Sequence, residues 1–271
     1  MNKFRSLKRP KMKSLNIYKQ LKKHTKNIKR KAHKNFKGKV IDGTHELYVI
    51  TAGITLGIKC SLNHGLRQAE AEARENGVEE NLLQSNSYSH SSMNMLTLEA
   101  FNYVEKASFP AMGSDDEPYP TPPHSLLRTF KFKTYAPQVF ARLRSLCDIS
   151  TESYMSSICG NYNFLEFMSN SKSGQFFFYS HDGKYMLKTQ TKEENKFMKL
   201  ILPHYYRYLA ENPHSLIVRF LGMHRVKMYQ FRRKVHFVIM NSVFDTPEEI
   251  HTMYDLKGST YGRAATDKEI G

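Results

Sequence analysis

Two apolar runs, residues 175–180 and 184–190, flank His181-Asp182-Gly183. Asp-Gly between apolar runs is a strong short-range signal for a β-hairpin, because the tight turn needs residues that tolerate positive φ. This pairing commits the chain to antiparallel sheet, and the neighbouring patterns build on it. Residues 192–209 predict a helix, with a break or kink at Pro203, since proline removes a backbone donor and crowds the preceding turn. Residues 215–226 and 234–243 predict two further strands around a basic turn at 230–234. Upstream, Val139, Phe140, Leu143 and Leu146 recur at helical spacing. Residues 148–159 predict a second short helix, with Ser150 as N-cap and Glu152 in its first turn. The fold class is α+β.

The N-terminal half carries weaker signals. Residues 41–62 alternate apolar and small side chains and predict a strand or a strand pair. Residues 63–83 are rich in Ala, Glu, Arg and Gln and predict a helix, weakened by Gly77. Residues 96–106 predict one or two helical turns. Asp115, Asp116, Pro118, Pro120, Pro122 and Pro123 mark a linker over 107–127. The expected organisation is a basic disordered arm (1–40), an N-terminal extension (41–106), the linker (107–127) and a domain over 128–271.

Charge is segregated along the chain. The formal net charge is +16, yet residues 1–39 hold 16 Lys or Arg and no Asp or Glu, so the remainder has 25 bases against 25 acids. Such an arm cannot bury enough apolar surface to fold alone. It suits a solvated tail, a nuclear-targeting or nucleic-acid patch, or a segment attracted to anionic lipid at roughly 1 kcal/mol per base. Cys60, Cys147 and Cys159 show no paired spacing, which fits a reducing compartment. The apolar run 47–58 has 12 residues, against about 20 for a bilayer-spanning helix. Asn2 excludes N-myristoylation. Membrane contact is therefore expected to be peripheral, with cytoplasmic residence at the plasma membrane and the nucleus as alternative.

The order from 170 to 243 is small-residue loop, strand, turn, strand with Lys, helix with Glu, strands and apolar exit. Phosphoryl transfer from a nucleotide asks for positioning and charge neutralisation, and those parts can supply both. Ser171-Lys172-Ser173-Gly174 lets backbone N–H groups approach phosphates, although Gly beside Ser is also an ordinary turn. Phe176 follows on the first hairpin strand. Lys188 ends an apolar strand and can reach phosphates, or simply point to water. Glu194 can hold that lysine, or be a helix-start carboxylate favoured by the macrodipole, a role Glu193 would fill equally well. Residues 237–241 can line an adenine pocket through Met240 and Asn241, or be plain core.

Several blocks together resemble the phosphatidylinositol phosphate kinase family, closest to its type I and plant-like 5-kinases. They are Phe132-Lys133-Thr134-Tyr135-Ala136-Pro137, Tyr154-Met155-Ser156-Ser157-Ile158-Cys159-Gly160-Asn161, and Lys172-Ser173-Gly174-Gln175-Phe176-Phe177-Phe178. Leu202-Pro203-His204-Tyr205-Tyr206, Phe220-Leu221-Gly222-Met223-His224-Arg225-Val226 and Tyr254-Asp255-Leu256-Lys257-Gly258-Ser259-Thr260 complete the set. The resemblance implies a protein-kinase-like N-terminal lobe and transfer of the ATP γ-phosphate to phosphatidylinositol 4-phosphate, at the 5-hydroxyl. By position it implies Ser173 and Gly174 in the phosphate-covering loop, Lys188 as the phosphate-binding lysine and Glu194 as its partner. Val238 to Val243 would form the hinge, and Lys257 would face the phosphates. It implies ATP and Mg²⁺ as cofactors, an anionic membrane surface as partner, and a homodimer. A nucleic-acid partner would leave the body of the chain unexplained.

The family pattern continues with a catalytic-loop aspartate and a metal-binding aspartate that these 271 residues do not show. No metal ligand is therefore assigned. The expectation is a partial kinase domain with its C-terminal lobe largely missing and little or no turnover alone. The alternative is a catalytically dead nucleotide- or membrane-binding adaptor.

Overall fold

The computed structural model describes residues 38–75, 96–114, 128–160, 163–167, 175–229, 233–246, 248, 250–252, 254 and 258. The expected basic arm lies outside them up to residue 37, as do 115–127 of the expected linker.

Among the described residues eight strands form one antiparallel sheet: β1 (Gly38–Val40), β2 (Val104–Phe109), β3 (Phe130–Tyr135), β4 (Leu165–Phe167), β5 (Phe177–Tyr179), β6 (Tyr185–Gln190), β7 (Phe220–Met228) and β8 (Arg233–Asn241). Their spatial order is β1-β4-β5-β6-β8-β7-β3-β2. Among the described residues five helices accompany them: α1 (Tyr48–Glu75), α2 (Leu98–Asn102), α3 (Pro137–Leu146), α4 (Thr151–Cys159) and α5 (Lys192–Glu211). The α+β class is as expected, and the sheet with its helices fits a kinase-like N-terminal lobe. The β5–β6 hairpin turns where Asp-Gly placed it, with Gly183 at φ 77°. Ser150 caps α4 by accepting a hydrogen bond from the Ser153 amide.

The two sheet faces carry separate cores. On one, α1 and α4 pack over Phe109, Phe130, Phe132, Phe178, Leu187, Phe237 and Ile239. On the other, α2, α3 and α5 pack over Tyr135, Met223, Val238 and Met240. Strand alternation sorts the side chains, because neighbours along a strand point to opposite faces.

Residues 41–62 are not strands. Most of them lie in α1, a 28-residue helix about 42 Å long at 1.5 Å per residue. Ile50, Ile54 and Ile58 are buried and recur every four residues, which is a helical face. Gly53 and Gly57 lie between them. Added Cβ atoms there would sit 2.3 Å from Met228 Cε and 2.3 Å from Phe132 Cδ2 respectively. The glycines lower helix propensity by about 1 kcal/mol each, and the close approach of helix to sheet overrides it. Residues 104–109 and 130–135, unassigned as strands from the sequence, are β2 and β3. Pro203 does not break α5, which runs unbroken to Glu211.

A bulge lies at Phe220/Gly222 in the β7–β8 pairing. Arg144, fully buried on α3, donates from Nη1 to the Leu221 carbonyl at 2.8 Å, and its guanidinium lies 4.8 Å from the Tyr154 ring centroid. Beside it His224 sits among the rings of Phe132 and Phe237, with Nδ1 3.2 Å from Thr134 Oγ1. Burial, with the Arg144 charge adding, pushes its pKa down to about 3. The unfolded chain binds a proton below about pH 6.5 that the fold refuses, so stability falls with falling pH. Between pH 7 and 5 this residue accounts for about 2 kcal/mol. Urea midpoints at both pH values should separate in the wild type and draw together in His224→Phe.

Candidate nucleotide site

The register across β5, β6 and β8 positions the expected lysine. Lys188 pairs with Phe177 on one side and Val238 on the other, so it sits within the sheet, not at an edge. Met186, two residues earlier on the same face, packs against the α5-side core. Lys188 is half-buried, and its Nζ lies 5.8 Å from the Phe177 ring centroid. It thus projects on the face covered by α5, the face that carries Glu194.

Glu194 does not form the close ion pair the sequence suggested. Its carboxylate accepts from the Thr191 amide at 2.7 Å and from Gln175 Nε2 at 2.8 Å. The Thr191 hydroxyl in turn accepts from the Glu194 amide, completing a capping box at the start of α5. Burial pushes this carboxyl up, but the Thr191 and Gln175 donors and the Lys188 charge outweigh it and hold it below its ordinary range. Lys188 acts on Glu194 from beyond contact distance. Glu194 instead ties Gln175, the first described residue after 168–174, to the helix start.

Phe176 requires a correction. Its ring stacks with Phe178 at 6.3 Å and packs on the α1-side core, opposite to Lys188. Phe177 is the aromatic that shares the lysine's face. One residue of parity separates the two, and only strand pairing fixes it. Met186 was also missed, although it lies two residues before Lys188 on one strand.

The expected hinge divides into parts. Met240 is buried between the sheet and α5. Asn241 clamps the end of β7: its amide donates to the Arg219 carbonyl at 3.1 Å, and its side-chain oxygen accepts from the Arg219 amide at 2.7 Å. The Ser242 amide donates to Lys184 O at 2.8 Å. Val243 exposes its side chain, and its amide has no partner among the described residues. Ser173, Gly174 and Lys257 lie outside the described residues. The described residues contain no group of three or more His, Cys, Asp or Glu that could hold a metal ion.

Comparison with known proteins gives this geometry its context. Residues 158–271 match the family model described as Phosphatidylinositol-4-phosphate 5-Kinase. The phosphatidylinositol 4-phosphate 5-kinase its3 of Schizosaccharomyces pombe is 40% identical over 174 residues, 64% of this chain and 22% of its own. Phosphatidylinositol 4-phosphate 5-kinase 6 of Arabidopsis thaliana is 36% identical over 235 residues, 86% of this chain and 29% of its own. A probable phosphatidylinositol phosphate kinase of Dictyostelium discoideum is 45% identical over 145 residues, 52% of this chain and 20% of its own. The chain thus spans less than a third of the length of these curated relatives.

Proposed function

The chain belongs to the phosphatidylinositol 4-phosphate 5-kinase family, and from that premise we propose that it carries the nucleotide-binding lobe of a lipid kinase. The substrate is phosphatidylinositol 4-phosphate, phosphorylated at the 5-hydroxyl to give phosphatidylinositol 4,5-bisphosphate. The position of Lys188 carries this reading. Its amine is fixed within the sheet, flanked by Phe177 and Met186, with no carboxylate within ion-pair distance among the described residues. An ammonium so placed meets a triphosphate without first breaking a salt bridge.

ATP supplies the transferable γ-phosphoryl group, and the residues present fit it. Lys188 would neutralise phosphate charge. The Val243 amide is the hinge donor left for a base, since those of Asn241 and Ser242 are taken. Glu194 and Gln175 fix the spacing between the loop exit and α5, which holds the lysine's strand against the helix. A divalent cation would arrive with the phosphates of ATP. The basic arm holds the protein at the anionic membrane surface where the substrate lies.

Titration with ATP tests the assignment. Lys188→Met should weaken ATP binding about tenfold or more, the worth of a charge-assisted contact, while leaving the circular dichroism unchanged. Equal affinity in the variant would overturn the site. Transfer of labelled γ-phosphate to phosphatidylinositol 4-phosphate vesicles then separates a kinase from an adaptor that only binds nucleotide.

A further inference from the structure

The face that carries Lys188 also carries an unbalanced row of cations. Lys106 pairs with Lys133, Lys133 with Arg225, Arg225 with His236, and His236 with Gln190. These five residues lie directly opposite one another across five neighbouring strands. Two residues along, a second row runs Ser108, Lys131, Lys227, Lys234. Lys199 of α5 leans in from above, its Nζ 5.5 Å from the Tyr135 ring centroid. None of these seven Lys and Arg side chains has a carboxylate partner among the described residues.

Like charges directly opposite in a sheet destabilise it, so the three adjacent charges of Lys106, Lys133 and Arg225 need a counterweight. The strain shows in the neighbours. Partial burial, then Arg225, Lys106, Lys199 and Lys234, lowers the Lys133 ammonium from its ordinary value. Burial, then Arg225, Lys199, Lys234 and Lys133, pushes His236 down to about 4. Moreover, Arg225 Nε, His236 Nδ1, Gln190 Oε1 and Asn195 Nδ2 are buried with no hydrogen-bond partner among the described residues. Three of these lie in the first row. The fourth belongs to Asn195, only 3% exposed and one helical turn before Lys199 on α5. Native structures leave few buried polar groups unpaired; Gln190 Oε1 only accepts, but Arg225 Nε only donates, and a donor left over in a cationic row points to a missing anion.

We propose that this face binds a multiply charged phosphomonoester anion, separate from ATP, centred on Lys133, Arg225, His236 and Lys199. The inner end offers the Arg225 donors. The outer lysines extend the positive field over roughly 14 Å, three strand spacings, enough for a second phosphate. Arginine suits phosphate because its donors form a planar fork. A phosphorylated lipid headgroup and a soluble polyphosphate share this chemistry.

Thermal melting with sodium tripolyphosphate, at ionic strength matched with NaCl, tests the proposal. The wild type should gain stability, with an apparent Kd at least about tenfold tighter than for Lys133→Gln/Arg225→Gln. Without tripolyphosphate the double variant should melt at or above the wild type, because removing the cations relieves repulsion. A merely structural role for these residues gives the opposite shift. Lys188→Met, which removes any triphosphate binding at the nucleotide site, should retain the part of the response that Lys133→Gln/Arg225→Gln loses, which separates failure here from failure of the nucleotide site. Lys39→Gln/Lys59→Gln should keep it too. Sedimentation with vesicles, the arm being present throughout, then assigns the source. Selective loss of the double variant from phosphatidylinositol 4-phosphate vesicles assigns a lipid headgroup, and loss only with tripolyphosphate assigns a soluble ligand. Equal tripolyphosphate response in the double variant overturns the site. So does equal binding to phosphatidylserine vesicles of the same charge, or a larger loss of duplex RNA binding than of tripolyphosphate binding.

Discussion

Gly57→Val should destabilise the fold by about 2–3 kcal/mol, although the substitution improves local helix propensity. A Cβ at position 57 would stand 2.3, 2.5 and 2.6 Å from three carbons of the Phe132 ring. That ring is 2% exposed and lies edge-on to Phe109, centroids 6.5 Å apart. It therefore cannot swing away, and overpacking of this kind costs about 1–3 kcal/mol or more. Gly53→Ala should be milder, because its clash is with the terminal methyl of Met228, the far end of a flexible side chain. Gly65→Ala on the same helix should reverse the sign. Nothing lies within 4 Å of a Cβ there, so the variant gains up to about 1 kcal/mol of helix propensity. Guanidinium midpoints at unchanged m-value would check all three. A neutral Gly57→Val would mean that α1 and β3 can part to admit the side chain.

These glycines also show where the sequence was legible and where it was not. The β5–β6 hairpin could be read because its determinants are local: Asp-Gly sits between apolar runs, and nothing distant is needed. The Ser150 cap was readable for the same reason. In α1 the isoleucines at 50, 54 and 58 carried the helical period, but β-branched residues and two glycines resembled strand composition. The reason glycine belongs there is Phe132, which lies far away in sequence. Strand β3 was legible and missed, since Phe130 and Phe132 alternate with Lys131 and Lys133. At the candidate site the sequence singled out Lys188 from its setting, whereas the aromatic that shares its face, Phe177 and not Phe176, depended on strand parity. Thr191 and Glu194 spell a capping box, so the local role of that carboxylate was written in the sequence beside the distant one. The cationic row had no sequence signature. It exists only because β2, β3, β7 and β8 align at a particular register.

The hairpin that holds Lys188 is anchored at its turn, and Asp182→Ala should loosen it by about 2–3 kcal/mol. Asp182 Oδ1 accepts from Ser157 Oγ at 2.6 Å, from Ser180 Oγ at 2.7 Å and from the Lys184 amide at 3.3 Å. The two hydroxyls belong to buried residues, so deleting the acceptor leaves both in need of a new partner. Each such loss costs about 1–3 kcal/mol before neighbours adjust. Ser157 belongs to α4, so this one carboxylate couples that helix to the β5–β6 turn. Asp182→Asn keeps an acceptor but loses the charge and should fall between the two. Burial pushes the carboxyl up, yet the Ser157 and Ser180 hydroxyls and the Lys184 amide outweigh it, leaving it below the usual value. A depressed carboxyl contributes its stability above the unfolded pKa, near 4, and surrenders it as pH falls through the folded value. The wild type should therefore lose this part of its stability below about pH 4, in a window where Asp182→Ala has none left to lose. Hydrogen exchange at the amides of Tyr185 and Leu187 would locate the loosening on the lysine's strand. Unchanged protection there, together with an unchanged denaturation midpoint, would mean that the turn carries the hairpin without its aspartate.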